Sequence, residues 1–143
     1  MIAVDTNILV YAHHSEAPQH PVALETLRSL TEGDTVWGLP IFVIGEFLRI
    51  VTHPRGPLRR PSTPEQAMLA VDGLVEGPRA RVLMPGPRYL LLLRKLVLEA
   101  KAGGNLVFDA QVAAVCLEHG ATTILTEDRD FSRFPGLTVR GLG

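Results

Sequence analysis

The opening stretch, Met1-Ile-Ala-Val-Asp-Thr-Asn-Ile-Leu-Val-Tyr-Ala12, limits the possible folds more than any other part of the chain. The apolar run Ile2 to Val4 stops at Asp5-Thr6-Asn7, and apolar character resumes from Ile8 to Val10. A short apolar run of this kind predicts a strand buried on both faces, as in a parallel sheet. Asp5 then falls at the carboxyl end of that strand, the edge where open α/β sheets take their ligands. A second reading of Asp5 is local, as a cap for a turn or for the following helix.

The rest of the chain alternates in the same manner. His13 to His20 reads as a polar loop, Pro21 to Leu30 as a helix, and Thr35 to Leu39 as a second strand. Pro40 suits the first turn of a helix with Ile41, Ile44, Phe47, Leu48 and Val51 on its apolar side, stopped by His53-Pro54. Arg55 to Pro61 is a basic loop rich in Pro and Gly, and Thr63-Pro-Glu-Gln66 has the form of a capping box for a helix reaching Val75. Ala80 to Met84 is a third strand, and a strongly apolar helix from Arg88 to Ala102 ends at Gly103-Gly104. A helix from Leu106 to Glu118 stops at Gly120; Thr122 to Leu125 is a fourth strand, and Leu137 to Val139 a short fifth. Strands separated by helices imply βαβ units and a parallel sheet covered on both faces. With 143 residues, no repeats and no long linker, the expectation is one α/β domain over residues 1–143.

Composition excludes several function classes. The single cysteine, Cys116, rules out an internal disulfide framework, and no Cys/His spacing suits zinc. The N-terminus has no basic leader, and apolar stretches such as Tyr89 to Leu93 are too short for a bilayer, so a cytoplasmic protein is expected. Net charge is −1, yet ten Lys/Arg face four Asp/Glu between Phe47 and Phe108, while acids concentrate toward the two ends. An acidic site beside a basic rim suits a metal-dependent enzyme acting on a polyanion, although charge runs also form ordinary solvated faces.

Four acids stand in unexpected surroundings: Asp5 after a buried strand, Glu46 among apolar helix residues, Asp109 near the start of an apolar helix, and Asp128 after the fourth strand. Each has a local alternative. Asp109 suits the helix dipole, Glu46 a solvent-facing helix side, and Asp128 and Asp130 a turn. Convergent carboxylates would raise one another's pKa unless cations bind, and oxygen donors without Cys or His suit Mg²⁺ or Mn²⁺. Such ions generate hydroxide from water and neutralise charge developing at phosphorus.

Asp5-Thr6-Asn7 after an N-terminal strand, Glu46 in a helix, Phe108-Asp109-Ala110 and Thr126-Glu-Asp-Arg-Asp-Phe131, in that order, resemble the signature of PIN-domain ribonucleases. Within them the chain resembles the VapC toxins of VapBC toxin–antitoxin modules, from Met1 to the last strand. The resemblance implies a three-layer α/β/α fold around a central, mostly parallel sheet of about four or five strands. It implies an acidic quartet of Asp5, Glu46, Asp109 and Asp128 that holds Mg²⁺ or Mn²⁺ and activates water, with Asn7 and Thr126 orienting it and Asp130 in support. It further implies a structured RNA substrate such as tRNA or rRNA, a homodimer, and inhibition by a VapB-type antitoxin. Glu127 has no place in the motif.

Arg49, Arg129 and Arg133 neighbour these acids in sequence and read equally well as RNA phosphate contacts or as ion-pair partners. The five histidines fall in loops or at helix ends and read mostly as structural, with His13 or His14 a candidate RNA contact near the cleft mouth. Cys116 reads as packing, and Trp37 and the Leu90–Leu93 run as core or dimer interface. Two other functions compete with the metal-dependent ribonuclease. One is a catalytically silent PIN-like module that binds RNA or protein, against which the presence of all four acids argues. The other is a phosphatase with an Asp nucleophile of the haloacid-dehalogenase type, which would want Asp where Asn7 stands.

Overall fold

The computed structural model describes residues 1–143. In chain order it contains β1 (Ile2–Val4), α1 (Thr6–His13), α2 (His20–Glu32), β2 (Trp37–Pro40), α3 (Ile41–Thr52), α4 (Pro64–Val75), β3 (Ala80–Leu83), α5 (Tyr89–Ala100), α6 (Leu106–Glu118), β4 (Thr123–Leu125), a 3-10 helix (Arg129–Arg133) and β5 (Thr138–Arg140). The five strands form one sheet in the order β3-β2-β1-β4-β5, and every neighbouring pair is parallel. The sheet, expected to be mostly parallel with four or five strands, has five and is parallel throughout.

Strand order reverses at β1. The chain steps outward through β2 to β3, then crosses back to place β4 on the other side of β1. Helices α1 to α4 pack on one another, and α5 packs on α6. Parallel crossovers are right-handed, so the outward and the returning crossovers lie on opposite faces and give the three layers. The gap opened between β1 and β4 at their carboxyl ends is the topological switch point. Backbone bonds tighten that edge: Asp5 N donates to Leu125 O at 3.0 Å, and Thr126 N to Arg140 O at 2.9 Å.

A continuous core of 30 buried residues joins the layers, with Trp37, Phe47, Phe131 and Phe134 its largest members. Helix α6 is buried along Ala110 and Val112–Cys116, and its small residues let it lie close against the sheet. Cys116 sits fully inside, and burial pushes its thiol up to about 12, as a packing residue requires.

Local departures from the sequence reading have simple causes. A helix begins directly after Asp5, so the polar loop shrinks to the residues between His13, which ends α1, and His20, which opens α2. Pro40 closes β2 and stands before α3 rather than within its first turn, since its backbone is extended (φ −58°, ψ 135°). Helix α5 stops at Ala100, before the two glycines, because Lys101 adopts left-handed backbone (φ 50°) and Ala102 N bonds Val97 O at 2.9 Å. The stop at Gly120 is as expected, with φ 75° there and Ala121 N on Cys116 O at 2.8 Å. The capping box at Thr63 and Gln66 forms in both directions.

Candidate active site

Each acidic side chain reaches the switch point from a separate element. Asp5 is both a cap and a site residue. Its Oδ1 accepts from Thr6 N at 2.7 Å, which starts α1, while Oδ2 accepts from Thr126 Oγ at 2.7 Å and from Asn7 Nδ2 at 3.2 Å. The two readings of Asp5 are thus one structure, with the carboxylate's two oxygens divided between them.

Thr126, buried at the end of β4, fixes the opposite wall. Its hydroxyl donates to Asp5 and accepts from Asn7 Nδ2 at 3.0 Å and Asp128 N at 2.9 Å. Asn7 Oδ1 accepts from Glu127 N at 3.2 Å, so one amide side chain ties α1 to the β4 loop. Asp128 caps the 3-10 helix by accepting from Asp130 N at 2.9 Å. Glu127 does not line the cleft with the acids; its Oε1 accepts from Leu142 N at 2.6 Å.

Glu46 is half-buried on α3 and accepts from Thr6 Oγ at 3.3 Å. Thr6 therefore links Asp5 to Glu46 through its backbone and its hydroxyl, a role the sequence reading did not assign. Its only sequence signal is its position between two site residues.

Asp5, Glu46, Asp109 and Asp128 line one cleft of about 300 Å³, with His14 and Pro57 at its border. The tightest grouping is Asp109, Asp128 and Asp130, whose carboxylate oxygens lie within 4.8 Å of one another. Asp130 thus joins two members of the quartet more closely than its secondary rank in the motif implied.

The electrostatics follow from this crowding. Burial, and then repulsion from Asp128, Asp5, Asp130 and Glu46, pushes Asp109 from 3.8 up to about 7. Its place in the first turn of α6 would by itself favour ionisation, and the neighbouring carboxylates outweigh that. Burial pushes Asp5 up to about 6, against the lowering effect of the Thr126 and Thr6 hydrogen bonds. No cationic side chain relieves either group, for the chain's one salt bridge, Arg28 to Glu25 at 3.2 Å, is local to α2. An all-oxygen donor set with unrelieved negative charge fits a hard divalent cation.

The three arginines do not form ion pairs with the acids. Arg133 donates to Ala100 O at 3.0 Å and tethers the end of α5, whereas Arg49 and Arg129 are exposed. His13 is held by Ser62 and stacked edge-on against Phe47, leaving His14 as the histidine that borders the cleft. Trp37 belongs to the core; Leu90 and Leu91 are exposed on α5.

The parallel sheet, its switch-point cleft and the match of residues 2–137 to the family model described as PIN domain define the class of protein. The chain is 40% identical over 140 residues to the VapC ribonuclease Mb2897 of Mycobacterium bovis, a match covering 98% of this chain and 94% of that protein. It belongs to the PIN-domain family and, within it, to the VapC ribonucleases. Several solved structures share the fold, and two illustrate it. One is VapBC2 from Rickettsia felis bound to a promoter DNA fragment, with TM-score 0.69, 20% identity, and 99% of this chain and 98% of that one covered. The other is VapC20 of Mycobacterium tuberculosis, a toxin described as cleaving the sarcin-ricin loop, with TM-score 0.66, 20% identity, and 96% and 99% covered.

Proposed function

We propose that residues 1–143 act as one PIN domain, a metal-dependent endoribonuclease toxin that hydrolyses phosphodiester bonds in structured RNA, either tRNA or rRNA. The observation carrying this reading is the convergence of Asp5, Glu46, Asp109 and Asp128 on one cleft, two of them with pKa values raised to about 6 and 7. Asp5, Glu46, Asp109 and Asp128 would hold Mg²⁺ or Mn²⁺, with Asp130 drawn in by its closeness to Asp109 and Asp128. A divalent ion there supplies Lewis acidity toward water and phosphate and offsets charge developing in the transition state.

The chain's own part is positioning. Thr126 and Asn7 fix Asp5 Oδ2, Thr6 fixes Glu46, and Asp128 is oriented by its backbone bonds. Held this way, the carboxylates stay arranged for a cation without reorganising during the reaction. Arg49 and Arg129, exposed and unpaired, are candidate RNA contacts, and Arg133 serves first as a tether.

A VapB-type antitoxin is the partner, a reading supported by neighbours described as VapBC complexes. A homodimer is supported by the bare leucines of α5: Leu90 is 73% exposed, Leu91 69% and Leu98 61%. No helix is long and apolar enough to cross a membrane; we place the activity in the cytoplasm, where the RNA is.

The test is incubation of purified, antitoxin-free protein with total cellular RNA in Mg²⁺, in Mn²⁺ and in EDTA, beside Asp5→Asn. Discrete fragments that require the metal and vanish in the variant are expected. Intact RNA, together with no gain in melting temperature on adding metal, would remove the enzyme and leave a silent binding module.

A further inference from the structure

A second cavity adjoins the acidic cleft, and its charge is of the opposite kind. It holds about 380 Å³ between the end of α1 and the loop that follows α3, with Arg59, Arg60, His13, His14, Glu16 and Leu58 in its wall. His14 lines both cavities, and the loop neighbours Pro57 and Leu58 line one each, so the two lie side by side along the loop.

The loop is fastened at both ends. Gly56 N donates to His53 O at 2.9 Å, and a Cβ at Gly56 would meet Ile50 O, so this close turn needs glycine. At the far end Ser62 N donates to Val51 O at 2.8 Å, and Ser62 Oγ is hydrogen-bonded to His13 Nε2 at 2.7 Å. Leu58 packs against the core between them. Arg59 and Arg60 are therefore carried on a pinned loop, exposed and without a salt bridge. Glu16, also exposed, is the cavity's one acid against two guanidinium groups.

We infer that Arg59 and Arg60, with His14 at the shared border, form an RNA phosphate subsite that holds the strand beside the acidic cleft. This rests on the ribonuclease reading and extends it. A cleft of carboxylates repels a polyanion, so the strand needs positive charge close by that does not cancel the acids. Two free arginines on a fastened loop meet that need, since guanidinium groups match phosphate geometry in two directions. The salt dependence of binding then reports their contacts directly.

The experiment compares Arg59→Gln/Arg60→Gln with wild type and with a charge-matched control, Arg79→Gln/Arg81→Gln, at the amino end of β3 and in the wall of neither cavity. Binding of a fluorescently labelled, mixed-sequence single-stranded RNA is measured in an Asp5→Asn background over a salt series; cleavage of cellular RNA is measured with Asp5 intact. Expected for the loop variant is a salt slope lower by about 1.4, from two lost phosphate contacts at about 0.7 each. A KM raised at least about tenfold with kcat nearly unchanged should accompany it, as for a lost uniform binding contact. The control should move neither quantity comparably. If wild type cuts RNA but the loop variant keeps its slope and KM, the subsite is wrong and the loop is a surface for a protein partner. If wild type neither cuts nor binds RNA, the ribonuclease reading fails and the subsite with it.

Discussion

Replacing Asp109 by Asn should make the metal-free protein more stable, although it removes a residue assigned to the site. The carboxyl stands at about 7 instead of 3.8 because of burial and four neighbouring carboxylates. At 1.36 kcal/mol per pH unit this shift sets a ceiling of roughly 4 kcal/mol on the penalty of the ionised form. Asp109 is only half-buried, so water and salt screen much of that, leaving about 1–2 kcal/mol. For a domain of this size the gain is roughly 3–6 °C in melting temperature.

The pH dependence separates this cause from any general effect of the substitution. A carboxyl whose pKa is higher folded than unfolded contributes stability below its unfolded value, and loses it as pH rises through the folded one. Metal-free wild type should thus weaken between about pH 4 and 7, more steeply than the Asn variant. The difference between them should be near zero at pH 4 and level off above about pH 7. Excess Mg²⁺ should close the gap by stabilising wild type alone. Thermal or urea denaturation of both proteins across pH 4 to 8, in EDTA and in Mg²⁺, reads all three effects. An Asn variant no more stable than wild type at pH 8 in EDTA, or equally favoured at pH 4, would refute the repulsion argument.

Three further outcomes are expected. Thr126→Val leaves the Asp5 carboxylate, Asn7 and Asp128 N without a common partner, at a cost of about 1–3 kcal/mol in urea denaturation. RNA cleavage should fall by at least about tenfold, as expected for a displaced metal-binding group; wild-type rates would deny Thr126 its positioning role. The Cys116 thiol, fully buried and pushed up to about 12, should resist an aromatic disulfide reagent at pH 8 until the protein is denatured, and rapid labelling of native protein would contradict its packing role. Leu91→Lys with Leu98→Lys should convert a dimer to a monomer by light scattering while preserving the melt, since both side chains are more than half exposed; an unchanged mass would move the interface elsewhere.

Much of this molecule was legible along the chain because its signals are local. The run Ile2 to Val4 before Asp5 is apolar since β1 is covered on both faces, and the Thr63–Gln66 box starts α4 within a few residues. Four acids in apolar company stand out in sequence, because an unpaired carboxylate among apolar residues has to be explained by a cap, a partner or a cation. The family motif then orders them.

What the sequence could not determine are distances between residues far apart in the chain. Only the crossing-back of the chain to β4 brings Thr126 beside Asp5, across 121 positions, so that one hydroxyl serves three site groups. Thr6, part of the opening motif but given no role of its own in the sequence, becomes the link to Glu46 only when α3 packs on α1. Asp130 moves from the margin of the motif into its tightest carboxylate group because a 3-10 turn, not an extended segment, follows Asp128. Local pattern fixes which elements form; where their side chains meet is set by strand order and helix packing, and so are the raised pKa values of Asp5 and Asp109.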